Sequence, residues 1–92
     1  RRRYVLKRLN EMGIATRVAP TGAFYALANV KKYTSDSYAF AFEILEKAGV
    51  AVTPGIDFGP NCEGYLRLSY ANSLENLKEG MDRIERFLAQ LP

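Results

Sequence analysis

The chain has no histidine and a single cysteine, Cys62, among its 92 residues. Zinc sites draw three or four ligands mainly from Cys and His, so this supply excludes the usual zinc site, and a lone cysteine excludes an intrachain disulfide. One thiol of this kind suits a reducing cytosol, and a cytoplasmic location is the expectation. Cys62 follows Asn61 in a stretch rich in Pro and Gly. With no histidine to take its proton, it lacks the base that activates a nucleophilic thiol. No segment approaches the roughly 20 consecutive apolar residues of a membrane-spanning helix. The arginine-rich start also lacks the continuous apolar segment of a secretory signal. Glycosylation sequons, low-complexity tracts and internal repeats are absent as well. No membrane partner is expected.

Charge is nearly balanced. Thirteen basic and ten acidic residues leave a net charge of +3, too little to argue for a nucleic-acid partner. The basic excess is local, at Arg1 to Arg3 and at Lys31-Lys32, and reads as a solvated helix start and a loop. Hydrophobic residues make up 48% and charged residues 25%, which argues against a disordered tail and fits one modest core. An Arg stands at position 1 in place of an initiating Met, as expected either where residues once preceded it or where processing has removed a start.

Periodicity orders the chain as helix, two strands, helix, two strands, helix. Val5, Leu9 and Met12 recur at helical spacing over 2–12, and Gly13 suits a left-handed cap. Residues 14–19 alternate as a strand that stops at Pro20, and Thr21-Gly22 turns the chain. The strand over 23–29 puts Phe24, Ala26 and Ala28 on one side and Tyr25 and Leu27 on the other, with the core side left open by the pattern. Residues 38–48 read as a helix with Ala41, Leu45 and Ala48 on one stripe and Phe42 beside it, closed by Gly49. Residues 50–53 follow as a short strand that Pro54-Gly55 breaks. Asn72 with Glu75 has the spacing of a capping box, and Leu74, Leu77, Met81, Ile84, Leu88 and Leu91 form the apolar face of the last helix. The fold class expected is α/β, a two-layer α+β sandwich in which helices cover one face of a small, largely antiparallel sheet.

The strand YLRLSY, residues 65–70, is the segment most informative about function. It sends Leu66, Leu68 and Tyr70 to the core and Tyr65, Arg67 and Ser69 to the opposite face. A planar, permanently charged guanidinium between two hydroxyl side chains is suited to gripping a carboxylate or phosphate through two parallel hydrogen bonds. An arginine on the outer face of a half-exposed strand also serves as a solvated or surface-paired charge. Both readings follow from the pattern.

Four motifs, in order, carry a family resemblance: PTGAFY over 20–25, EKAGVAVTPG over 46–55, DFGPNCEGYLRLSYA over 57–71, and the closing helix SLENLKEGMDRIERFL over 73–88. Together they resemble the C-terminal small domain of class I/II aminotransferases, the fold type I enzymes that use pyridoxal phosphate. The resemblance covers essentially the whole chain. It implies one domain over 1–92, with the large cofactor-binding domain absent. It implies that Arg67 binds the substrate α-carboxylate and that Phe24 and Phe58 line the substrate pocket, although a Phe in an alternating strand also serves as core, and Phe58 as a plug over the sheet edge. The partners implied are an amino acid or 2-oxo acid substrate, the missing large domain and, in the parent enzyme, a second subunit of a homodimer. The cofactor implied for the parent is pyridoxal phosphate. Such enzymes carry the Schiff-base lysine in the large domain. Lys7, Lys31, Lys32, Lys47 and Lys78 all lie in polar contexts without that lysine's Ser-rich lead-in. No catalytic or cofactor-binding residue is therefore expected in this chain, and the isolated chain is not expected to transaminate.

Two other classes compete. An RNA-recognition module is also a small antiparallel sheet with helices on one face, but its aromatic strand motif needs a basic residue before the glycine, where this chain has Thr21 before Gly22. A stand-alone sensing domain would use Arg67 to bind a small carboxylate without catalysis.

Overall fold

The computed structural model describes residues 1–15 and 25–91, the side chain of Phe58 excepted. Three helices, α1 (Arg2–Glu11), α2 (Ser37–Ala48) and α3 (Leu74–Ala89), pack with a three-stranded sheet of β1 (Tyr25–Asn29), β2 (Thr53–Pro54) and β3 (Tyr65–Ser69). The strands lie in the order β1-β3-β2 and both pairings are antiparallel. This is the two-layer α/β arrangement expected from the pattern.

The alternation of β3 sets the layers. Leu66 and Leu68 are buried against Ala28 and Ala26 of β1, their cross-strand partners. Small residues opposite large ones keep this face level, so side chains from the helices interdigitate with it. The core that results joins Val5 and Leu9 of α1, Phe40 and Ile44 of α2, and Leu77, Met81 and Ile84 of α3. Phe40 also meets the ring of Phe87, with centroids 5.7 Å apart. The open question of which side of β1 is core is answered by the alanines, and Tyr25 and Leu27 take the opposite face.

Several local expectations change. In α2 the buried stripe is Phe40, Ala41 and Ile44, whereas Phe42 and Leu45 are 56% and 49% exposed. Apolar residues run almost all round this helix, so periodicity alone does not choose between stripes, and packing against the sheet selects one. The helix is capped by Asp36, whose carboxylate accepts from Ala39 N at 3.1 Å, and it ends at Gly49 with φ +72°, a left-handed position suited to glycine. In α3 the cap is Ser73, not Asn72: Ser73 Oγ accepts from Asn76 N at 3.1 Å, while Asn72 Oδ1 accepts from Ser73 N at 2.8 Å. Leu74 in the first turn is 42% exposed, and Phe87 joins the buried face.

The strand expected over 50–53 pairs only at Thr53 and Pro54. Proline does not break it, because β2 lies at the sheet edge, where a missing N–H costs no ladder bond. Of the strand expected over 14–19, Ala15 bridges Ala28 on the free side of β1, and Ile14 O accepts from Asn29 N at 2.8 Å. Residues 16–24, including Phe24, lie outside the described residues.

Helices α1 and α3 are joined by charge as well as packing. Arg8, whose side chain is 12% exposed, reaches Glu11, Asp82 and Glu85 at 3.0, 2.8 and 3.0 Å. Among the described residues no helix is long and apolar enough to cross a membrane.

Candidate functional site

Arg67 occupies the middle of β3, which is itself the central strand. Its cross-strand partners are Leu27 of β1 and Thr53 of β2, so its Cα is held from both sides by ladder bonds. Because Leu66 and Leu68 point into the core, Arg67 emerges on the face away from it and is half-buried there. The guanidinium carbon lies 4.9 Å from the ring centroid of Tyr25. A guanidinium on an aromatic face has its plane set by the ring, at a cost lower than full hydration loss because Arg is weakly hydrated.

Tyr25 is a residue the motif reading passes over in favour of its neighbour Phe24. Its position follows from register: it opposes Ser69, two residues from Arg67 on the same face. The diagonal distance between such neighbours suits an aromatic side chain and a long cation. The only signal in the sequence is the alternation that separates Tyr25 from Ala26. The partner strand and its offset are long-range facts. On the same face, Lys31 Nζ stands 4.8 Å from the ring centroid of Tyr65, a second cation over a second tyrosine.

The segment between β2 and β3 consists of two short 3₁₀ turns, Gly55–Phe58 and Pro60–Cys62. Its neck closes at Gly55. A Cβ there would collide with the carbonyl oxygen of Cys62 and come within 2.7 Å of that of Tyr65. The backbones pass so closely that no side chain fits, which is why glycine sits beside Pro54 at this turn. The backbone of Phe58 ends the first turn, and its side chain lies outside the described residues, as all of Phe24 does. Of the three residues expected to meet substrate, Arg67 alone is therefore located in full.

Among the described residues, no lysine is placed to hold a pyridoxal phosphate. Lys7, Lys31, Lys32, Lys47 and Lys78 are all exposed, with Lys47 paired to Glu43 at 3.2 Å and Lys32 over the ring of Tyr33. None is a desolvated amine of the kind that condenses with an aldehyde. Among the described residues, no three His, Cys, Asp or Glu side chains cluster as a metal site. What the arrangement offers chemically is a planar cation set against a ring on the sheet face away from the core, a group of the kind that pairs with an oxyanion.

The family model for aminotransferase class I and II matches residues 1–84. The chain belongs to that family. It is 49% identical over 90 residues to an aspartate aminotransferase of Pyrococcus abyssi, covering 98% of this chain and 23% of the relative. To a probable N-acetyl-LL-diaminopimelate aminotransferase of Bacillus subtilis it is 46% identical over 85 residues, covering 92% and 21%. An aromatic aminotransferase of known structure from Pyrococcus horikoshii superposes with a TM-score of 0.89 at 47% identity, over 97% of this chain and 24% of that one. The chain thus spans about a quarter of the length of the relatives it matches.

Proposed function

We propose that this chain is the small domain of a pyridoxal-phosphate-dependent amino acid aminotransferase of the cytoplasm, and that Arg67 binds the α-carboxylate of its amino acid or 2-oxo acid substrate. The observation that carries the reading is Arg67 itself: central in the sheet, on the face opposite the core helices, with its guanidinium oriented over Tyr25. Family membership supplies the context, and the share of each relative that is matched supports a large cofactor-bearing remainder, in a parent proposed to be a homodimer.

The part played by this chain is binding and orientation. Two parallel N–H···O bonds from one guanidinium fix both the position and the plane of a carboxylate. That leaves the substrate's amine and Cα–H at a set angle to whatever lies across the face. The cofactor, when bound by the rest of the enzyme, supplies the electron sink for the amino transfer. Phe24 and Phe58 are proposed as apolar walls of the same pocket, Phe58 on the turn that leads from β2. Closure of the small domain over substrate would exclude water while Arg67 holds the carboxylate.

Replacing Arg67 with Lys in the aminotransferase that carries this sequence tests the assignment, since a point charge cannot reproduce the fork. The expected result is a fall in kcat/KM of roughly 10- to 100-fold with intact folding, the loss of about one charge-assisted hydrogen bond. Unchanged KM and turnover with an amino acid substrate would refute the carboxylate role.

A further inference from the structure

We infer that Glu63 is a positioning residue for Arg67, acting through a two-pronged clasp on Ser37 at the start of α2. One carboxylate oxygen accepts from Ser37 N and the other from Ser37 Oγ, each at 2.7 Å. Ser37 is 0% exposed, so its hydroxyl depends on this partner. The inference rests on the reading of Arg67 as the carboxylate-binding residue.

Capping alone does not account for the clasp. Helix α2 already has its own cap in Asp36, three residues before the N–H it serves at Ala39. Glu63 reaches the same helix end from 26 residues away, at the exit of the turn segment and two residues before β3. A carboxylate at a helix N-terminus, hydrogen-bonded through both oxygens, is one of the firmer tertiary ties available. Among the described residues, the segment it holds has the local backbone bonds Gly59 N to Ile56 O, Cys62 N to Gly59 O and Glu63 N to Pro60 O. Immediately afterwards Gly64 O accepts from Val30 N at 2.8 Å, tying the same point to the end of β1.

Glu63 and Gly64 together therefore pin the entry of β3 between α2 and β1, four and three residues ahead of Arg67. Strand direction and pleat at that entry determine where the guanidinium stands over the outer face, because side-chain direction is set by register. Both oxygens of Glu63 are engaged by Ser37, so its effect on substrate is exerted through Arg67.

The test is steady-state kinetics on the whole aminotransferase carrying Glu63→Ala or Ser37→Ala, alone and combined with Arg67→Lys. The second variant removes only one prong and keeps the buried backbone bond, so at least one protein remains folded. A positioning role predicts that each single variant raises KM for the amino acid on the order of tenfold, with kcat changed far less, as expected for a displaced binding group. It also predicts that adding either change to Arg67→Lys costs little more, since the effect passes through the lost fork. A merely structural role lowers the active fraction, and so Vmax, at constant KM. That result, or a full independent loss in the double variants, would overturn the inference while leaving the Arg67 reading intact. A normal KM in Arg67→Lys itself would instead remove the reading on which both depend.

Discussion

A cation in a folded chain acquires a role from what limits its motion. Arg67 and Arg8 illustrate two outcomes. Arg8 is surrounded by three carboxylates, Glu11, Asp82 and Glu85, and joins two helices. Arg67 lies over a ring on a strand whose neighbours on both sides are paired to it. The first arrangement ties the guanidinium between carboxylates, and the second sets its plane against an aromatic ring on the face away from the core. Gly55 shows the same rule for a residue without a side chain. Its Cβ would meet only backbone atoms, the carbonyls of Cys62 and Tyr65, which cannot rotate aside as a side-chain end can. Gly55→Ala is therefore expected to cost about 2 kcal/mol or more, in the range of overpacked sites. Urea denaturation would measure it, and a variant within about 0.5 kcal/mol of the parent chain would show that the neck opens freely.

At the scale of elements, α2 is the sharpest contrast between pattern and packing. A stripe through Leu45 and a stripe through Ile44 are both apolar, and only contact with the sheet distinguishes them. Ile44 is 1% exposed and Leu45 is 49% exposed. Ile44→Ala is expected to cost about 2–5 kcal/mol, and Leu45→Ala to stay within about 0.5 kcal/mol. Equal losses in thermal or urea unfolding would place the helix in a different rotation. Helix α3 and strand β3, by contrast, were legible from the sequence. Leu77, Met81, Ile84 and Leu88 share one face because polar residues separate them at helical intervals. Leu66 and Leu68 flank a charged residue, and only one face of such a strand can be core. The cap of α3 moved by one residue to Ser73, since Asn72, Ser73 and Asn76 are all competent to cap and local hydrogen bonding decides among them.

For the molecule as a whole, the Arg8 network makes the contact between α1 and α3 sensitive to acid. Hydrogen bonding to Arg8, with its positive charge, holds the Glu85 carboxyl below its ordinary range. Arg8 itself is raised, chiefly by the hydrogen bond to Glu85, and stays charged at every accessible pH. The folded chain therefore keeps Glu85 ionised where the unfolded chain has begun to bind a proton. Stability from this pair is present above the unfolded carboxyl's pKa and is lost as pH falls through the depressed folded value. The melting midpoint should decline below about pH 5, and Arg8→Met, which keeps the packed stem, should decline less steeply. Identical acid profiles for the two proteins would assign the acid loss to other carboxylates.

Taken alone, the sequence determined the periods: three helical stretches, the in-out alternation of β3, and Arg67 on the side away from the leucines. It also carried the aminotransferase motifs, which the family match over residues 1–84 bears out. These are local properties, written into residue spacing. The tertiary structure alone decided which stripe of α2 is buried, that Tyr25 lies beneath Arg67, that β2 pairs at Thr53 and Pro54, and that Glu63 clasps Ser37 across 26 residues. Each depends on the offset between segments far apart in the chain, and that offset comes from filling one core with all the elements at once, a quantity that no single stretch of sequence contains.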